Sequence, residues 1–326
     1  MKSFAEFKQR LQVAYRAYYQ EPLDWALQQV KPRAWLWSDL DTRRRVQAMG
    51  INVVPAHFYC DVPTIAEIEG SFEYQDQDEP PYTLNVDDAE LRRELEALSA
   101  YAAEFEPAKL SEELRQRGDP WDGKMFGYAD AMAYYCYLRK LKPRTLVEVG
   151  SGFSTQVALQ ALRKNGGGQV ICIEPFPRQT LREQQGIELV QKPAQAIDAA
   201  FLNGVLADGD VVFIDSTHTV KSGSDCLHLY LRLLPALQRR VHVHVHDIYL
   251  PFGLPKDWLL HKQTFWTEQY LLLAMLQDNP RATIRYGSYY HRWRNRELFE
   301  RFMGGKGEAF GSSFWFEYRP AAPVNG

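Results

Sequence analysis

The chain has 326 residues, enough for one large α/β domain with an addition or for two modest domains. It is 45% hydrophobic and 24% charged, as soluble globular proteins are, and its net charge of −3 offers no basic footprint for nucleic acid. Four cysteines without a CxxC pair argue against a zinc ribbon or a dithiol site; no stretch has the apolar length of a membrane span, and the charged start Met1-Lys2-Ser3-Phe4-Ala5-Glu6 does not read as a signal peptide, so the expected location is cytoplasmic.

Residues 1–45 carry apolar side chains at helical spacing (Phe4, Phe7, Leu11, Ala14, Tyr15), interrupted by Pro22 and Pro32. Arg43-Arg44-Arg45 reads as a solvated helix face. Residues 50–85 are rich in Pro, Gly and acids and predict irregular structure, with an aromatic turn at His57-Phe58-Tyr59. An amphipathic helix is predicted from Asp87 to Phe105, capped by Asp87 or Asp88. A Gly- and aromatic-rich loop follows over 116–128, then a helix from Asp130 to Leu141 that stops before Pro143. From Thr145 the pattern alternates. Strands are predicted at 145–149, 169–173, 187–190, 210–214 and 241–245, helices over 154–164 and 224–237, and a last edge strand at 314–318. This predicts an α/β fold: a Rossmann-like, doubly wound, mostly parallel sheet with helices on both faces, plus a mainly helical N-terminal extension. The expected division is a cap region over 1–118 and the Rossmann-like domain over 119–326.

Glu148-Val149-Gly150-Ser151-Gly152-Phe153-Ser154 leaves a strand and opens a helix, where open α/β sheets take nucleotides. Glycines there let a ligand approach the backbone. Glu174 ends the next strand, a position from which a carboxylate accepts hydrogen bonds from ribose hydroxyls. A dinucleotide turn needs a third glycine for the pyrophosphate, but here the region reads Ser154-Thr155-Gln156. Glu148, two residues before the first glycine, is expected to repel phosphate and to suit a ligand with an ammonium group. That describes S-adenosylmethionine; the alternative is a strand–turn–helix corner with no ligand.

These residues resemble the first motif of class I S-adenosylmethionine-dependent methyltransferases, and more closely the bacterial subgroup called methyltransferase family 24. There the turn is similar to "EIGSGFSS", the fourth strand ends in "IDSTH" and the fifth in "HxHDI". This chain has Ile214-Asp215-Ser216-Thr217-His218 and His244-Val245-His246-Asp247-Ile248, and its Trp266-Thr267-Glu268-Gln269-Tyr270 resembles "WNEQY". The likeness covers roughly residues 120–318. It implies that Glu148, Gly150 and Gly152 line the methionine end of the cofactor, with contacts from Ser151 and Ser154. It also implies that Glu174 holds the ribose and that Asp215 sits below the transferred methyl. The loop after the third strand, Lys192-Pro193-Ala194-Gln195-Ala196, lacks the family's acid, leaving adenine to Gln195 or to backbone groups.

Asp215 and His218 follow the fourth strand, and His246 and Asp247 the fifth, so the four converge at one mouth. Methyl transfer to oxygen needs a proton acceptor, for which His218 is the first candidate and His246 the second, with Asp215 beside them. Asp215, His246 and Asp247 also suit a divalent metal such as Mg²⁺. His242 and His244, on the same face of the fifth strand, read as core residues. Trp258, Phe265, Trp266, Tyr270, Tyr289, Tyr290 and Trp293 suit either an acceptor wall or core packing, with Tyr59 and Tyr134 as weaker candidates for the same cleft. The reading is methylation of a small-molecule acceptor, without nucleic acid or membrane as partner. Rivals are a metal- or nucleotide-dependent enzyme on this fold and a non-catalytic cofactor-binding protein. The acceptor and the oligomeric state stay open.

Overall fold

The computed structural model describes residues 13, 15–30, 39–54 and 56–322. The chain divides into two units, Met1–Glu67 and Ile68–Gly326. In the first, helices run over Glu21–Val30 and Leu40–Ala48, and the Asp39 carboxylate caps the second by accepting from the Thr42 amide at 2.8 Å. Arg43, Arg44 and Arg45 are exposed on that helix, as a solvated face should be. His57, Phe58 and Tyr59 form an exposed turn. Phe4, Phe7, Leu11, Ala14 and Pro32 lie outside the described residues.

In the second unit seven strands form one sheet: β1 (Thr145–Val149), β2 (Gln169–Ile173), β3 (Glu188–Val190), β4 (Val211–Ile214), β5 (Val241–Val245), β6 (Ala282–Gly287) and β7 (Phe314–Tyr318). Their order is β3-β2-β1-β4-β5-β7-β6. β1 to β5 pair in parallel, and β7 runs antiparallel to both β5 and β6. The first five strands lie where the hydrophobic runs place them. β7 corrects the expectation of an edge strand: it is interior, hydrogen-bonded on both sides, and β6 holds the edge. The mixed, half-buried β6 sequence Ala-Thr-Ile-Arg-Tyr-Gly carries no strong strand pattern, which is why it went unpredicted.

Alternate residues of each strand point to opposite faces. Leu146, Val170, Cys172, Phe213 and Trp315 join one core, beneath the flanking helices; Val147, Ile171, Val212, Val243 and Phe316 join the other, with Ile197, Leu229 and Leu272. Burial on both faces explains why the strands read as continuous apolar runs. Each large side chain buried this way contributes roughly 1.5–3 kcal/mol. The first core is built on α1 (Asp88–Ala102), α2 (Tyr128–Leu141) and α3 (Phe153–Asn165). Asp87 caps α1, accepting from the Ala89 amide at 2.9 Å. Because α1 buries Leu95 and Leu98 in the same core as α2, compactness divides the chain after Glu67, and residues 68–118 pack with the sheet. The expected helix over 224–237 is irregular: Asp225–His228 leads into a wide turn, Leu229–Leu233, and a tight one, Leu234–Ala236, where Pro235 cannot donate. Among the described residues no helix is long and apolar enough to cross a membrane.

Candidate functional site

The strand order reverses direction between β1 and β4, and open α/β sheets form a crevice at such a switch. The parallel ladder continues into the loops: the Gly150 amide donates to Ile173 at 3.0 Å, Asp215 to Val149 at 2.9 Å, and His246 to Ile214 at 3.0 Å. The residues following β1, β4 and β5 are therefore held in register at one mouth. There a cavity of about 470 Å³ is lined by Gly150, Ser151, Gly152, Ser154, Glu174, Asp215, His218 and Asp247, with Trp258 and Trp266 as apolar walls.

The two glycines differ. Gly150 has φ +83°, and a Cβ there would collide with the Asp215 carbonyl; Gly152 has open space where its Cβ would stand. Gly150 is thus required by the strand crossing, whereas a Cβ at Gly152 would stand in the open cavity. Gly150→Ala is expected to destabilise by roughly 3 kcal/mol, from left-handed backbone plus overpacking. Gly152→Ala should leave stability nearly unchanged and weaken cofactor binding. Denaturant unfolding and calorimetric titration check the pair; equal loss of stability in both would contradict this division.

Glu148 does not line the cavity. The register sets it beside Cys172 and Phe213 on the face covered by α2. There its carboxylate accepts from the Tyr134 hydroxyl at 2.8 Å and the Thr155 hydroxyl at 2.5 Å. Burial pushes this carboxyl up to about 7, against those hydrogen bonds. The expectation that Glu148 meets the ligand and repels phosphate through its charge is not favoured by this geometry; it braces the turn from below. Tyr134 is likewise buried beneath the turn. Glu174 does line the cavity, its Oε1 accepting from the Phe176 amide at 2.8 Å. Gln195 is not among the lining residues and donates to the Gly223 carbonyl at 3.1 Å.

The Asp/His group does converge. His218 Nε2 lies 3.2 Å from Asp215 Oδ1 and 3.6 Å from Asp247 Oδ2, while its Nδ1 lies 2.7 Å from Glu268 Oε2. Burial disfavours its charge, but Asp215 and Glu268 prevail and raise the imidazole to about 10. His246 Nδ1 lies 3.4 Å from Asp215 Oδ1 and its Nε2 3.4 Å from Asp130 Oδ2. Burial again opposes its charge, and Asp247 and Asp215 override it, so it too is raised well above the usual range. The carboxylates around both rings shift them towards the protonated form, and His246 is not among the residues that line the cavity. Partial burial opposes the charge of Asp215, yet His246 and His218 hold it low; burial raises Asp247, against the pull of the same two histidines. His218 and Asp247 both adopt φ 57°, a left-handed conformation that non-glycine residues keep only when their surroundings enforce it. For His218 the enforcement is visible, since its carbonyl accepts from the Thr267 and Glu268 amides.

The sequence reading missed two carboxylates. Asp130 opens the otherwise apolar α2 and is buried, its Oδ1 accepting from the Ser312 and Ser313 amides at 2.8 and 2.9 Å. Glu268 begins α4 (Glu268–Leu276) and is buried, also accepting from the Tyr230 hydroxyl at 2.7 Å. A lone acid in an apolar helix was the available signal, because such a group must find a partner. His244 is a core residue as expected, stacked on Trp315 at 4.4 Å and bonded to Ser313 Oγ at 2.9 Å. Of the C-terminal aromatics, Trp258 and Trp266 face the cavity, whereas the hydroxyls of Tyr270 and Tyr290 bind Glu73 and Asp88.

Residues 147–248 match the family model described as a methyltransferase domain. A protein of Archaeoglobus fulgidus, described as uncharacterised, is 28% identical over 157 residues, covering 45% of this chain and 71% of its own. Among solved structures, the O-methyltransferase TomG of Streptomyces achromogenes, in complex with S-adenosylmethionine, is similar at 15% identity and a TM-score of 0.42, over 66% of this chain and 89% of its own. An O-methyltransferase of Bacillus cereus, in complex with S-adenosylhomocysteine, is similar at 12% identity and a TM-score of 0.39, over 73% and 93%. The matched segment runs from inside β1 to just past β5 and takes in the glycine turn, Glu174 and the acids after β4 and β5, so this stretch of the chain is similar to a methyltransferase domain.

Proposed function

We propose that this enzyme transfers a methyl group to an oxygen of a small-molecule acceptor held between the glycine turn and the Asp/His cluster. One observation carries the reading: the turn, Glu174, Asp215 and Asp247 open into a single cavity whose far wall is Trp258 and Trp266. The residues present fit the cofactor, since Gly152 leaves room against the backbone and the Ser151 and Ser216 hydroxyls are buried without a protein partner. Bound S-adenosylmethionine supplies a methyl group on a positively charged sulfur. Glu174 would accept from the ribose hydroxyls, the turn amides would meet the methionine end, and Asp215 would stand on the side of the transferred methyl. Asp247 would face the acceptor and take the proton that its hydroxyl loses on methylation. His218 and His246, as imidazoliums, fix Asp215 and Asp247 in place.

Calorimetric titration with S-adenosylhomocysteine tests the cofactor half. Glu174→Ala should weaken that binding by about tenfold or more, the worth of hydrogen bonds to a charged group; undiminished affinity would remove Glu174 from the site. Screening metabolite extracts for a gain of one methyl group tests the acceptor half.

A second reading is favoured by a separate observation. Asp215, His246 and Asp247 each offer one ligand atom within 4.8 Å of the others, a donor set that suits a divalent ion. Such an ion would lower the pKa of an acceptor hydroxyl. Under this reading chelation abolishes turnover and Mg²⁺ restores it; under the first, chelated enzyme keeps its rate.

A further inference from the structure

A second cavity, of about 350 Å³, lies in the same unit and shares no lining residue with the first. Its walls are aromatic: Tyr74, Phe252, Tyr289 and Trp293. The rings are held in place, because the Tyr74 hydroxyl donates to the Leu254 carbonyl at 2.8 Å and Trp293 Nε1 to the Asp78 carbonyl at 3.1 Å. Phe252 sits edge-on between Tyr289 and Trp293, with centroids 5.9 and 6.0 Å away. Buried Tyr249 forms the partition, touching Tyr289 on this side and Trp258 of the strand-end cavity on the other.

The charges at this cavity decide what it fits. Lys256 and Arg292 line it, and among the described residues neither makes an ion pair. Each lies instead against a ring: Lys256 Nζ is 5.5 Å from the Tyr74 centroid, and the Arg292 guanidinium is 4.4 Å from that of Phe310 and 5.6 Å from that of Tyr289. The one lining acid, Glu73, already accepts from the Tyr82 and Tyr270 hydroxyls at 2.7 and 2.9 Å. An aromatic cage with an acid would ordinarily invite a cation. Here the protein's own cations lie against the rings, and two cations to one carboxylate, itself held by two hydroxyls, leave a net positive charge beside planar apolar walls.

We propose that this cavity is a second binding site, separate from the methyl-transfer cavity, for a planar ring compound bearing a carboxylate. The ring slots among Phe252, Tyr289 and Trp293, and the carboxylate meets Arg292 and Lys256. The site stands independently of the acceptor's identity and of the base assignment.

The test is calorimetric titration of the full chain with 2-naphthoate, alongside 2-naphthylmethanol and 2-naphthylmethylamine, which keep the ring and change the charge. One naphthoate per chain is expected, with each comparison compound at least about tenfold weaker. The Lys256→Gln/Arg292→Gln double variant should lose at least about tenfold in naphthoate affinity at an unchanged thermal midpoint, and Trp293→Ala, while still folded, should weaken it too. No naphthoate binding to the folded wild type, equal affinity for the amine or alcohol, or undiminished binding by the folded double variant overturns the proposal. So does a naphthoate-soaked crystal with the compound only in the strand-end cavity.

Discussion

Asp247→Asn is expected to lower kcat for methyl transfer by about 10²- to 10⁴-fold, the usual worth of a positioned proton acceptor. Of the four Asp/His side chains that converge, Asp215, His218 and Asp247 face the cavity and His246 lies behind them. His218 is saturated, with Glu268 on Nδ1 and Asp215 on Nε2. Asp215 faces both histidines, 3.2 and 3.4 Å away, and its carboxyl is held low, which makes it a weak base. Asp247 is set further from both rings, at 3.6 Å, and accepts from Ser312 Oγ at 3.0 Å through its other oxygen. Asn keeps the size and the Ser312 contact while losing the ability to take a proton. S-adenosylhomocysteine should therefore bind the variant almost as it binds the wild type, so the defect falls on kcat and not on cofactor affinity. Wild-type turnover by the variant, or a loss explained wholly by weaker cofactor binding, would sink this assignment. Chelated enzyme, used throughout, keeps the measurement separate from a metal effect.

Glu268→Gln should cost about 3 kcal/mol or more of folding stability at pH 6, because it leaves one nitrogen of a buried imidazolium without its carboxylate. The pH dependence gives a second readout. His218 is raised in the folded chain to about 10, from the usual 6.5. A raised imidazole contributes stability that is fully present below pH 6.5 and is lost as pH climbs through about 10. Wild-type stability should thus fall across that window, and His246, raised for the same kind of reason, adds to the fall. Removing Glu268 removes one of the two carboxylates that hold the His218 proton, so the variant should start lower and decline less steeply. Denaturant unfolding at a series of pH values in chelating buffer measures both curves. Parallel curves would mean that Glu268 does not hold the His218 proton.

Much of this was legible along the chain. The runs Thr145–Val149, Gln169–Ile173 and Val241–Val245 announce strands because burial on both faces favours apolar side chains at most positions, even where Glu148, His242 and His244 interrupt them, and a short run shows that preference locally. The glycine turn is equally local, since its left-handed bend falls on Gly150. The candidate acids and histidines follow strands directly, so their meeting is implied once neighbouring parallel strands are assumed. Tyr134, Asp130 and Glu268 were less visible as site residues because their partners lie on other elements: Tyr134 meets Glu148 across the α2–β1 packing, Asp130 meets His246, and Glu268 meets His218 fifty residues upstream.

The sequence by itself determined the strand–helix alternation, the turn after β1 and the identity of the groups at the strand ends, all properties of neighbours along the chain. Only the tertiary structure decided which of those groups carry protons and which face the ligand. Glu148 is a carboxylate on paper, yet burial beneath α2 pushes it up to about 7, against the hydrogen bonds it accepts from the Tyr134 and Thr155 hydroxyls. His218 is on paper a base suited to neutral pH, and the carboxylates on its two nitrogens shift it towards the charged form. Protonation is set by desolvation and by charges within a few ångströms, and those distances exist only once the chain has folded.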